Sequence, residues 1–119
     1  MQFTEETFGS VKVYHLVGKI MGGPETQAMC AHLKTLIDAG TRWLVMDFRD
    51  VQWINSTGIG AIISCLITLR KRDGDVRFAN LHDATAHYFH LTKLETVVKI
   101  FDRVDEAVAS FENERVSDA

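Results

Sequence analysis

A chain of 119 residues, 46% of them hydrophobic, is the size of one domain and is long enough to bury a core without disulfide or metal staples. A net charge of -3, with basic residues clustered only at Arg70-Lys71-Arg72, gives a nucleic-acid surface little electrostatic support and favours protein partners. The longest apolar run, Ile59 to Leu69, is broken by Ser64 and Thr68 and is too short for a bilayer; no basic N-terminal segment leads into an apolar stretch. The expectation is therefore a soluble protein of the reducing cytoplasm, with Cys30 and Cys65 as buried free thiols.

Apolar and polar residues alternate on both sides of Gly9-Ser10, which predicts a hairpin: a short strand near Phe3 to Phe8 and a longer one from Val11 to Val17. Gly22-Gly23 breaks the second strand, and Pro24 suits a first helical turn. Met29, Leu33, Leu36 and Ile37 then recur at helical spacing, as a core stripe, until Gly40. The run "RWLVMDF" is continuously apolar, as a strand covered on both faces would be.

The cluster Asn55-Ser56-Thr57-Gly58-Ile59-Gly60 follows, and then a helix in "AIISCLITLRKRDG" that turns basic where Lys and Arg complement the dipole and stops at Asp73-Gly74. "VRFANL" is a short strand. Asp83 is the expected cap of a helix in "ATAHYFHL", "TVVKIF" is a last strand or an extended segment, and "RVDEAVASF" is an acidic helix. From Glu112 the sequence is polar, so the expected division is a domain over 1–111 and a flexible tail over 112–119. Strands that alternate with helices after a hairpin predict an α/β fold, a mixed sheet with helices packed against it.

A hydroxyl just ahead of an apolar helix can be a cap, a nucleophile or a site of modification. Helix starts leave backbone N–H groups without intrahelical partners, and Asn55, Ser56 or Thr57 can accept from them. For a nucleophile, "NSTGIG" lacks the Gly-x-Ser-x-Gly elbow, and no acid and base stand in the required order. For a nucleotide loop, its glycines leave GxGxxG incomplete. His82, His87 and His90 fall close together, but no fourth ligand follows from their spacing, so exposed or hydrogen-bonded histidines are expected and no metal site. Trp43 is expected in the core. Trp53 is either core or a partly exposed residue beside a docking surface, and Arg70 to Arg72 is expected as a solvated helix end.

Taken together, the strand "WLVMDF" with Asp47, the segment "VQWINSTGIGAIISCLITLRKRDG", the strand "VRFANL" and the ending "LTKLETVVKIFDRVDEAVASF" resemble the STAS domain family, over roughly Phe3 to Phe111. That family comprises bacterial anti-sigma factor antagonists and related domains of anion transporters. The resemblance implies a four- or five-stranded mixed sheet flanked by about four α-helices, and a binding protein rather than an enzyme. In the antagonists the matching motif reads Asp-Ser-Ser/Thr-Gly-Leu/Ile-Gly, and its first hydroxyl is phosphorylated by a partner kinase. That hydroxyl corresponds to Ser56, with Thr57 as the neighbouring acceptor.

The chain departs from the pattern at Asn55, where the family has an acid; at Met21, where many antagonists carry an aspartate; and at Lys93, where glycine is common. By resemblance, Asn55, Ser56, Thr57, Gly58, Ile59 and Trp53 form the partner-binding surface. The partners implied are an anti-sigma factor that is also a serine-protein kinase, and a phosphatase. The kinase supplies ATP and magnesium, and this chain carries no cofactor. Monomer and homodimer both stay open. The alternative role is a constitutive scaffold subunit of a larger complex, such as a phospholipid-transport ABC system.

Overall fold

The computed structural model describes residues 1–117. Its elements in chain order are β1 (Gln2–Phe8), β2 (Val11–Ile20), α1 (Pro24–Asp38), β3 (Trp43–Ile54), α2 (Ser56–Lys71), β4 (Asp75–Ala79), α3 (Asp83–Leu91), a 3-10 turn (Leu94–Thr96), β5 (Lys99–Phe101) and α4 (Val104–Ser117). The strands form one mixed sheet in the order β1-β2-β3-β4-β5, with the opening hairpin antiparallel and every later pair parallel. This is the α/β architecture that alternating strand and helix patterns predict.

The two faces of the sheet bury separate clusters, and the two-residue period of the strands sorts side chains between them. Tyr14, Leu16, Leu44, Met46, Phe48 and Phe78 join Met29 and Leu33 of α1, Ile62 and Leu66 of α2 and Phe89 of α3 on one side. Val11, Val13, Val45 and Ala79 meet Ala107, Val108 and Phe111 of α4 on the other. The continuous run in β3 is thus explained: its alternate residues serve two cores. Phe48, Phe78 and Phe89 pack with ring centroids 5.1 to 5.3 Å apart and so fasten α3 to the sheet.

Trp43 is partly buried and stacks on Phe111 at 5.6 Å, while the Arg77 guanidinium, 1% exposed, lies 3.9 Å over the same Phe111 ring. At the end of α2, Arg70 pairs with Asp75 and Arg72 with Asp38.

Several boundaries differ from the pattern-based reading. β2 continues to Ile20 and β3 to Ile54 because their backbones go on pairing and Ile20, Val51 and Ile54 stay in the core, although register shifts near Val17 and Gly18 break the strict alternation. Asp83 does not cap α3. His82 occupies the cap position, its backbone N–H donating to Thr85 Oγ1 at 3.1 Å, and Asp83 is already the first helical residue. "TVVKIF" resolves into the end of the 3-10 turn and a three-residue strand. α4 carries on to Ser117, and the last two residues of the expected 112–119 tail lie outside the described residues.

Candidate functional site

The hydroxyl cluster sits where β3 ends and α2 begins. Asn55 is extended (φ -109°, ψ 180°), and its side-chain Oδ1 accepts from the Gly58 N–H at 2.8 Å; its backbone C=O accepts from Ile59 N–H at 2.9 Å. This is a helix N-cap by geometry, and it takes one of the donors that a helix start leaves unpaired. The Asn55 N–H in turn donates to the Ile20 carbonyl at 3.2 Å, which ties the cap to the end of β2.

With Asn55 as the cap, the other two candidates are left without a capping role. Ser56 is the first residue of α2; it is exposed, and its hydroxyl makes no hydrogen bond among the described residues. Thr57 is also exposed. Gly58 and Ile59 are buried. Trp53, 47% exposed, stands three residues before Ser56, Thr57 follows it, and the loop after β2 carries Met21, 46% exposed.

The loop belongs to the same surface because it lies directly on the helix start: a Cβ on Gly22 would stand 2.3 Å from Thr57 Cγ2, and φ is +80° there. Sequence reasoning marked Met21 as a departure from a family pattern without placing its loop against the start of α2. The signal available was the Gly22-Gly23 pair, which permits so close an approach.

On the sheet face opposite α2, β1, β2 and β3 bring a second group of polar side chains together. His15 shares Nδ1 with Asp47 Oδ2 at 2.7 Å and Nε2 with Glu6 Oε1 at 2.5 Å. Asp47, 7% exposed, also accepts from the Arg49 N–H at 3.0 Å and from Asn80 Nδ2 at 2.8 Å. A cavity of about 510 Å³ opens beside this network, against the first turns of α4.

Burial is the largest influence on His15 and opposes its charge. The hydrogen bonds that Asp47 and Glu6 accept from the ring, with their negative charges, together outweigh burial and raise its pKa above the ordinary value. A group whose pKa is higher when folded stabilises the fold fully below its unfolded value, about 6.5, and loses that contribution as pH rises through the folded value. The unfolding midpoint at pH 5.5 minus that at pH 8.5 should therefore be more positive in the wild type than in His15→Gln. A difference of the same size in the variant would assign the pH dependence to other groups.

The three histidines of α3 and its cap are hydrogen-bonded or exposed, as their spacing predicts. His82 Nε2 meets the Arg49 carbonyl at 3.0 Å and His90 Nδ1 meets Glu95 at 2.6 Å; His87 is exposed. Among the described residues no helix is long and apolar enough to cross a membrane.

A family model described as STAS domain matches residues 2–107. Among solved structures the chain is similar to an anti-sigma factor antagonist from Mycobacterium paratuberculosis, at 22% identity and TM-score 0.78, covering 92% of each chain. It is similar to the Bacillus cell fate determinant SpoIIAA in its phosphorylated form, at 18% identity and TM-score 0.74, over 92% of this chain and 98% of that one. It is also similar to a sulfate transporter family protein from Wolinella succinogenes, at 18% identity and TM-score 0.69, over 88% of this chain and 87% of that one. At these identities the likeness shows a shared fold. No curated protein matches the chain.

Proposed function

Because the chain belongs to the STAS domain family, we propose that it is an anti-sigma factor antagonist, which binds a serine-kinase anti-sigma factor when unmodified and lets go of it when Ser56 is phosphorylated. The observation that carries this reading is the division of labour at the start of α2. Asn55 alone closes the cap, so the Ser56 hydroxyl is exposed and has no structural task. The asparagine that replaces the family's acid keeps the helix start intact. Similarity to SpoIIAA, whose structure is known in a phosphorylated form, supports a modifiable residue here.

A phosphate on Ser56 brings about -1.5 to -2 charges to the positive end of a helix dipole, where the free protein accommodates it. The partner does not. Trp53, Met21 and Thr57 around Ser56 offer apolar contact, and a phosphate buried against such a contact loses its hydration without gaining a cation. Gly58 and Ile59, buried behind this surface, fix its backbone. A phosphatase restores the binding form, and no change of fold is needed.

The test is incubation of the purified protein with ATP, magnesium and a serine-kinase anti-sigma factor, followed by intact-mass measurement and site localisation. One phosphate on Ser56, lost in Ser56→Ala, is the expected result. Full phosphorylation of Ser56→Ala would overturn the assignment, with Thr57 the first site to inspect.

A second reading, a constitutive scaffold subunit of a larger complex such as a phospholipid-transport ABC system, draws on the same surface. Met21 and Trp53 are exposed apolar side chains of the kind that anchor permanent interfaces, and both acids of the family pattern are absent beside Ser56. It predicts binding that is indifferent to charge at Ser56.

A further inference from the structure

Cys30 of α1 and Cys65 of α2 lie 35 positions apart in the chain, and their Sγ atoms are 3.3 Å apart. Both are free thiols. We propose that they are a dithiol oxidised by peroxide to an intramolecular disulfide that clamps α1 to α2. The inference does not depend on the proposed function.

The two sulfurs are already in contact. A disulfide sets its sulfurs about 2.05 Å apart, so the pair needs to close by roughly an ångström, which side-chain torsions and a slight approach of two packed helices supply. The two thiols also differ in access. Both line a groove of about 500 Å³ between α1 and α2, with Lys34, Ser64 and Thr68, but Cys30 is half-buried and Cys65 only 4% exposed. A small oxidant entering the groove meets the more exposed Cys30, with Cys65 already in contact with it.

The electrostatics assign the same roles. The hydrogen bond with Cys65 holds the Cys30 thiol below its ordinary pKa, although burial opposes this; that bond and burial together push Cys65 up. Since the thiolate is the attacking form, Cys30 is the nucleophile and Cys65 the resolving thiol.

In the first step the Cys30 thiolate attacks one oxygen of hydrogen peroxide. The O–O bond breaks, hydroxide leaves and takes up a proton as water, and Cys30 becomes a sulfenic acid. The Cys65 sulfur then attacks Cys30 Sγ. The S–O bond breaks as the S–S bond forms, and the departing hydroxide takes the Cys65 proton as a second water. Two thiols lose two electrons, and one peroxide becomes two waters. A dithiol reductant reverses the bond by exchange. The clamp joins the helix that opens with Ser56 to the helix that follows the Met21 loop, so both elements that frame the hydroxyl cluster are tied together.

The experiment is treatment of the native, reduced protein with one equivalent of hydrogen peroxide, followed by thiol counting in denaturant, intact mass and peptide mapping. The expected result is loss of both thiols together, a mass lower by two hydrogens, a peptide cross-linked through Cys30 and Cys65, and full recovery with dithiothreitol. Cys65→Ser should stop at a Cys30 sulfenic acid that dimedone traps, and Cys30→Ser should react with peroxide about tenfold more slowly. A cooperative melt of each variant confirms that it folds. The proposal is overturned if wild-type protein accumulates Cys30 sulfinic acid with Cys65 still reduced. It is equally overturned if the cross-link proves to be between molecules, or if Cys30→Ser reacts at the wild-type rate.

Discussion

Alanine at Gly58 is expected to destabilise the fold by about 2–4 kcal/mol. Helix propensity alone points the other way: Gly58 lies within α2 at ordinary helical φ, where exchanging glycine for alanine gains about 0.5–1 kcal/mol. The contact decides the sign. A Cβ at Gly58 would stand 2.2 Å from the Ile20 carbonyl oxygen and 2.8 Å from its carbon, and backbone atoms cannot rotate away as a side chain would. That carbonyl already accepts from the Asn55 N–H, and the Gly58 N–H is the one that Asn55 caps, so pushing α2 off β2 strains both bonds at once. Gly60 provides the control, since a Cβ there meets nothing within 4 Å and the residue is exposed. Gly60→Ala should therefore stabilise by about 0.5–1 kcal/mol. Urea unfolding of both variants checks the pair: effects of the same sign would mean that the β2–α2 approach is looser than the structure describes.

The order of elements was legible in the sequence because each core-facing element carries its own period. The stripe Met29, Leu33 and Ile37 marked α1, and the unbroken apolar run of β3 reported burial on two faces. Where register shifts break the alternation, the strands left no such trace, although Ile20, Val51 and Ile54 are buried there. Arg49 and Asp50 look like the end of a strand, yet Asp50 lies opposite Val17 in the β2–β3 ladder, with both charged side chains exposed. The caps were ambiguous for a related reason. Asn55, Ser56 and Thr57 all carry an oxygen that can accept from a helix start, and only the backbone, extended at Asn55 and helical from Ser56, selects among them. At α3 composition favoured Asp83, but Thr85 bonds back to the His82 N–H and the helix starts one residue earlier. Contacts between distant segments were hidden altogether. Nothing in the spacing of Cys30 and Cys65 shows that α1 and α2 bring them together, and His15, Asp47 and Glu6 meet only because three strands align in register.

Under the proposed function, aspartate at Ser56 is expected to weaken binding to a serine-kinase anti-sigma factor by at least about a hundredfold, near 2.7 kcal/mol, while leaving the free protein as stable as before or slightly more so. The two halves of this expectation have separate causes. In the free protein the side chain is exposed and unbonded, so nothing is displaced, and a carboxylate in the first turn of α2 interacts favourably with the helix dipole by about 0.3–1 kcal/mol. In the proposed complex the same carboxylate is covered along with the exposed Trp53 and Met21, and burying it without a cation to pair with costs several kcal/mol. Ser56→Ala separates charge from the loss of the hydroxyl: it should bind as wild type does, because the cap belongs to Asn55 and stays in place. Titration calorimetry on the three proteins, with a melt of each, reads both halves. If Ser56→Asp bound within about threefold of wild type, a difference below 1 kcal/mol, charge at this position would not govern association, and the constitutive scaffold role would account better for the exposed Met21 and Trp53. If Ser56→Ala lost binding as well, the hydroxyl itself would be a contact, and phosphorylation would act by removing an attraction as well as by adding a repulsion.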